Sequence, residues 1–174
     1  MSTLGDMHHV GITVRDLEVS LQWYEHTFGL TREFVAHGSG PELSAAVGVP
    51  NADLSFAFLR FGSCVLELLC YNNEREESFT RTNADVGSTH VCIDVPDLQM
   101  MHDDLVAKGV VFLAPPLLIE DGPLEGCSFV YFKDPNGVTL ELFQSAYAPP
   151  DQTSTGSETE GPDSAGTQNT KEDL

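Results

Sequence analysis

The chain has 174 residues, 41% of them hydrophobic, and its 27 acidic against 8 basic side chains give a formal net charge of -19. That length accommodates one domain or two small modules sharing a core, and the charge argues against nucleic acid and anionic membranes as partners, since both require clustered Lys and Arg. Residues 151 to 174 hold six of the acidic groups and one Lys, so the body is itself acidic.

No apolar run is long enough to span a membrane and no basic-then-apolar leader opens the sequence, so the cytoplasm is the expected compartment. Cysteines at 64, 70, 92 and 127 lack paired metal-ligand spacing and are expected to be free thiols.

After a lead-in over residues 1 to 7, Val10, Ile12 and Val14 alternate with His9, Gly11 and Thr13, as in a strand with one apolar face. His9 therefore faces away from the apolar side, and His8 is expected on the opposite face with Val10 and Ile12. Asp16 is a helix N-cap, followed by a stripe of Leu17, Leu21, Tyr24 and Phe28 that Gly29 ends. The segments 56–61 and 64–70 flank Gly62-Ser63 as a hairpin, which pairs Arg60 with Val65, Phe58 with Glu67 and Phe56 with Leu69.

The same order then repeats. His90, Cys92 and Asp94 oppose Val91, Ile93 and Val95, Asp97 caps a helix carrying Leu98, Met101 and Leu105, and Gly109 follows. The segments 129–133 and 138–143 flank Asp134-Pro135-Asn136-Gly137, a turn with a Gly bulge that pairs Tyr131 with Glu141 and Phe129 with Phe143. Segments 37–51 and 115–127 read as loops long enough to fold over a cavity. The expected organisation is a domain over 1–148, with modules at about 7–71 and 89–148 joined by a polar linker at 72–88. An acidic tail over 149–174 is too poor in apolar residues to order.

Each module thus offers one His on a strand and one carboxylate inside an apolar run: His9 with Glu67, and His90 with Glu141. A carboxylate so placed costs several kcal/mol, about 3 or more, unless it is compensated. Two imidazoles and two carboxylates form a ligand set for one divalent ion, with Fe, Mn, Co, Ni and Zn all compatible. The inferred inner faces add Phe56, Phe58, Phe129 and Tyr131 as an aromatic lining for a small-molecule substrate. Arg60 is a candidate anchor for a substrate carboxylate. His26, His37 and His102 are read as exposed, without a catalytic role.

The paired His strands with their Val-x-Asp-Leu continuations, Trp23-Tyr24 before Gly29-Leu30, and Phe132-Lys133-Asp134-Pro135-Asn136-Gly137 leading to Leu140-Glu141-Leu142 carry a resemblance over residues 8 to 144. This grammar resembles the vicinal oxygen chelate superfamily, which includes glyoxalase I, methylmalonyl-CoA epimerase, extradiol dioxygenases and drug-resistance proteins. The resemblance implies an α+β fold of paired βαβββ modules whose curved mixed sheets surround a metal, in a homodimer. It also makes Glu67 discriminating. The dioxygenase and fosfomycin-resistance branches leave that position without a ligand, whereas glyoxalase I and the epimerase use four protein ligands.

A metal-dependent isomerase or lyase is therefore expected, with Glu141 or Glu67 as the proton-transferring base. An extradiol-type dioxygenase and a non-catalytic drug or natural-product binding protein are the alternatives. A coenzyme A thioester is disfavoured by the scarcity of basic residues.

Overall fold

The computed structural model describes residues 5–73 and 82–146. Its first half comprises β1 (His9–Thr13), α1 (Leu17–Phe28), β2 (Thr31–Ser39), α2 (Pro41–Val47), β3 (Asp53–Phe61) and β4 (Cys64–Tyr71). The second comprises β5 (His90–Asp94), α3 (Leu98–Ala107), β6 (Leu117–Leu118), β7 (Ser128–Lys133) and β8 (Thr139–Gln144). Two four-stranded sheets result, ordered β1-β4-β3-β2 and β5-β8-β7-β6, the expected paired βαβββ arrangement. In each, the histidine strand runs parallel to the strand carrying the carboxylate, and the remaining pairs are antiparallel.

Local chemistry sets these elements. The Asp16 carboxylate accepts from the backbone N–H of Val19 at 3.0 Å, and Asp97 does the same for Met100 at 2.9 Å, so each helix starts with one of its orphan donors satisfied. Gly29 ends α1 in the left-handed region at φ 67°. The hairpin registers follow from the turns: Phe58 pairs with Glu67 and Arg60 with Val65, and Tyr131 pairs with Glu141.

The segment 37–51 is not a loop throughout. β2 continues to Ser39, and a short helix follows in which Pro41 stands in the first turn. Because α2 buries none of its residues, it has no apolar stripe from which a helix could be read. The segment 115–127 contains only the two-residue β6, tied back by Ile119 N–H to Cys127 O at 2.9 Å.

The sheet faces covered by helices share one core. Leu59, Leu66 and Leu68 of the first sheet and Val130, Phe132, Leu140 and Leu142 of the second belong to a single cluster with Leu21, Tyr24, Leu98 and Leu105 from the helices. Phe28 bridges them, its ring 5.8 Å from Phe61 and 6.2 Å from Phe132. The histidine-bearing faces consequently lie on the far side of each sheet from this shared core.

A buried polar junction fixes the modules to each other. Tyr24, 1% exposed, donates its hydroxyl to Asp134 Oδ2 at 3.1 Å, and Asp134 Oδ1 accepts from the backbone N–H groups of Asn136 and Val138. Asn136 accepts from the backbone of Arg15 at 2.9 Å and donates to Ser20 Oγ at 3.1 Å. Burial pushes the Tyr24 phenol well up, and the adjacent Asp134 carboxylate adds to it. The sequence reads Asp134 to Gly137 only as a turn, but this turn is also the clasp between modules.

The tail expected over 149–174, and residues 74–81 of the linker, lie outside the described residues. No described helix is long and apolar enough to cross a membrane.

Replacing Tyr24 by Phe is expected to lower unfolding stability by about 1–3 kcal/mol, since a buried carboxylate loses one of its donors. Asp134→Ala should cost more, because it strands the Tyr24 hydroxyl and the turn N–H groups together. Urea unfolding followed by circular dichroism measures both, and equal stabilities for Tyr24→Phe and wild type would contradict the junction's role.

Candidate metal centre

Both modules position His and Glu by the same register. His9 stands opposite Val65, two residues before Glu67, and His90 stands opposite Thr139, two residues before Glu141. With a two-residue side-chain period, each His and Glu become diagonal neighbours on one face.

His9 Nε2 lies 3.1 Å from Glu67 Oε2, and His90 Nε2 lies 3.0 Å from Glu141 Oε2. Both carboxylates are well covered, with side chains 15% and 10% exposed, while the imidazoles are 39% and 46% exposed. Both separations are ordinary hydrogen-bond distances. Each pair supplies one imidazole nitrogen and one carboxylate oxygen, the donor types that zinc and first-row metals accept. The residues therefore fit a divalent cation. His9, Glu67, His90 and Glu141 would hold it.

The four are not gathered into one cluster within the chain. Among the described residues, no three His, Cys, Asp or Glu side chains come together in a metal-ligating group. His9 and Glu67 belong to one sheet and His90 and Glu141 to the other. The chain presents two separate His–Glu pairs, each a candidate half-site.

The surroundings of the half-sites differ. Glu67 is flanked by Gly11 on β1 and Phe58 on β3, whereas Glu141 is flanked by Cys92 on β5 and Tyr131 on β7. Partial desolvation on the sheet face raises the Cys92 thiol to about 12, with the charge of the neighbouring Glu141 carboxylate adding to the shift. The Tyr131 phenol is raised by the same causes in the same order. Phe58 lies 5.7 Å from the His9 ring and Tyr131 5.4 Å from that of His90, so the aromatic neighbour is retained while its hydroxyl occurs only in the second module.

Of the expected lining, Phe56 and Phe58 contact each other at 6.3 Å and Phe129 contacts Tyr131 at 5.6 Å. Phe34 joins the first group, 4.6 Å from Phe58 and 43% exposed. Strand β2 that carries it has a register shift between Arg32 and Phe34, which hides the alternation in the sequence. Arg60 is engaged by the Glu33 carboxylate, so its guanidinium is not a free anchor.

His8 does not follow the expected parity. It precedes β1, where strand alternation no longer constrains it, and its ring packs 6.1 Å from Phe58 beside His9. Its Nδ1 lies 2.8 Å from His9 Nδ1. That contact leaves His9 Nε2 directed to Glu67 and orients the imidazole. The adjacent His-His pair in the sequence was the available signal.

Among the other histidines, His26 is exposed, while exposed His37 pairs with Asp53 at 2.8 Å. His102 is only 18% exposed and stacks on Phe112 at 4.4 Å, more covered than its helical position implied.

The model of the Glyoxalase/Bleomycin resistance protein/Dioxygenase superfamily matches residues 6–142. The chain is 33% identical over 141 residues to a 2-epi-5-epi-valiolone epimerase of an Actinomyces species, covering 78% of this chain and 77% of that protein. It is 28% identical over 144 residues to the human mitochondrial methylmalonyl-CoA epimerase, covering 82% and 75% respectively. The structure of a Bacillus cereus glyoxalase family protein superposes with a TM-score of 0.68 at 20% identity, over 83% of this chain and 96% of that one.

His9→Ala and His90→Ala are each expected to lose bound metal yet stay folded, at a cost of about 1–3 kcal/mol for leaving Glu67 or Glu141 without its neighbour. Elemental mass spectrometry and thermal melts of the metal-free proteins check this. Full metal occupancy in either variant would remove that histidine from the ligand set.

Proposed function

The chain belongs to the Glyoxalase/Bleomycin resistance protein/Dioxygenase superfamily, and on that premise we propose that it is a divalent-metal-dependent isomerase or lyase. Its reaction is proton transfer beside a chelated oxygen of a small, fairly apolar substrate. The observation that carries this reading is the carboxylate in both half-sites, each within 3.1 Å of a histidine. Two epimerase relatives support the same reaction class.

When bound, the cation supplies Lewis acidity that polarises a substrate carbonyl. The chain's own groups do the rest. His9 and His90 would hold the ion, a carboxylate would take the proton from the adjacent carbon and return it, and the phenylalanines around His9 would limit access of water. Of the described cations, Arg32, Arg60 and Lys108 are each ion-paired to a carboxylate. This weakens the case for the several phosphates of coenzyme A and favours an uncharged ketone, the class named by the suffix of the valiolone relative.

The complete site is formed between two copies of the chain. His9 and Glu67 of one protomer meet His90 and Glu141 of its partner, so a two-fold dimer has two equivalent sites. Two observations support this: the half-sites lie on the faces opposite the shared core, and these faces carry exposed apolar residues, Phe34 at 43% and Leu117 at 57%.

Glu67→Gln is expected to slow solvent-deuterium exchange at the carbon beside the carbonyl by about 10²–10⁴-fold, followed by NMR with ketone and acyl-thioester candidates. Exchange at the wild-type rate would contradict a role for Glu67, and oxygen consumption with a catechol would favour the dioxygenase chemistry of the superfamily. The cross-chain arrangement makes a separate prediction. Unfolding and refolding His9→Ala with His90→Ala in equal amounts should restore about a quarter of the metal sites, because half the dimers are mixed and each has one intact site. Metal content that stays at the level of the separate variants would place the site within one chain.

A further inference from the structure

We propose that the groove between the end of the linker and β7 is a subsite for substrate hydroxyl groups, with Lys133 and Asn83 as the residues that select them. The inference rests on the metal-site reading above and deepens it, because it makes the substrate an uncharged ketone bearing several hydroxyls.

The sheet register places this groove beside the second half-site. His90 pairs with Thr139 and Thr139 with Lys133, so the three form a row across β5, β8 and β7, with neighbouring strands about 4.8 Å apart. Phe132 and Asp134 on either side of Lys133 are buried, at 0% and 5% exposure, and the exposed Lys133 therefore points to the face of His90 and Glu141. Next to it lies a groove of about 400 Å³ lined by Thr82, Asn83, Ala84, Leu113 and Lys133. That volume suits a small molecule.

Hydrogen bonds fix both walls. The backbone N–H of Leu113 donates to Tyr131 O at 2.8 Å, which lays the Leu113 segment along β7. Across from it, the backbone N–H and hydroxyl of Thr82 donate to Asp85 Oδ2 at 2.7 and 3.0 Å, and the Ser88 hydroxyl donates to Thr82 O at 2.7 Å. The end of the linker is thus closed into a turn. Thr139, 6% exposed, donates its hydroxyl to Asn83 Oδ1 at 2.7 Å and pins that turn to the sheet.

The polar groups left over define the ligand. Among the described residues, the Lys133 ammonium donates to Gly137 O at 3.1 Å and has no carboxylate partner, in contrast to Arg32, Arg60 and Lys108. Two of its three donors remain available. Asn83 spends one lone pair of its oxygen on Thr139, so it offers a ligand its amide N–H groups and a second lone pair. Donors beside an acceptor suit a hydroxyl, which does both, whereas an oxyanion only accepts. The Asp85 carboxylate held on Thr82 in the same wall and the net charge of -19 further oppose an anion. Leu113 and Ala84 supply apolar contact for the carbon skeleton.

Cobalt(II) uptake by the full-length protein is measured first, and calorimetry of the loaded protein then compares a pentahydroxycyclohexanone with α-hydroxycyclohexanone, which share the ketone and its neighbouring hydroxyl. Wild type should bind the pentahydroxy probe about 10–100-fold more tightly, and Lys133→Met and Asn83→Asp should each remove most of that advantage. Affinities for α-hydroxycyclohexanone and for cobalt should stay within about twofold of wild type, since neither residue touches the metal ligands. Asn83→Asp keeps the oxygen that Thr139 requires, and circular dichroism of both variants should match wild type. Equal binding of the two ketones by wild type, or an advantage that survives in either variant, would overturn the subsite. Tighter binding of an α-hydroxycyclohexanone carrying a ring carboxylate than of the pentahydroxy probe would overturn it as well. Wild-type protein that takes up no cobalt would instead overturn the underlying metal reading.

Discussion

Glu67 and Glu141 place carboxyl groups inside otherwise apolar strands, and much of the molecule is organised around accommodating those two polar groups. Val65, Leu66, Leu68, Leu140 and Leu142 on either side of them are buried, and Glu141 itself is nearly inaccessible. A carboxylate in such a setting needs a partner of positive or donating character. The histidines provide the nearest one. Neutral imidazole offsets only part of the cost, and a bound divalent ion shared by both groups offsets more.

The topology explains why such pairs occur twice. A parallel edge strand beside the carboxylate strand places His and Glu on one face two positions out of register, and the repeat reproduces that relation in the second sheet. The opposite faces merge into one core, closed by the Tyr24–Asp134–Asn136 junction between modules. Stability and chemistry are therefore carried on opposite sides of the same strands. The cost of the arrangement is that a single chain leaves both chemical faces uncovered by its own core, which is what a second copy would remedy.

The sequence makes much of this legible, for specific reasons. His9 with Val10, Ile12 and Val14 reveals strand and face because alternation is strict there, and Glu67 shows itself as a candidate ligand because it is the single carboxylate in the apolar run Val65 to Leu69. The two hairpin registers follow from Gly62 and Gly137, whose left-handed backbone, at φ 59° and 85°, fixes the turn. Other features leave no periodic trace. Helix α2 buries none of its residues, β2 is broken by a bulge before Phe34, and His8 precedes the strict alternation of β1. The engagement of Arg60 by Glu33 depends on strand β2 and is invisible to a hairpin argument based on β3 and β4. Whether four ligands converge within a chain is a question of module packing, and identical local sequences serve either answer.

The most direct test of the account is anomalous diffraction from crystals of the manganese- or cobalt-loaded protein. The account predicts one ion bonded to His9 and Glu67 of one protomer and to His90 and Glu141 of its partner, with bonds of about 2.1 Å. An ion held by one His–Glu pair alone, or four ligands supplied by a single chain, would contradict it.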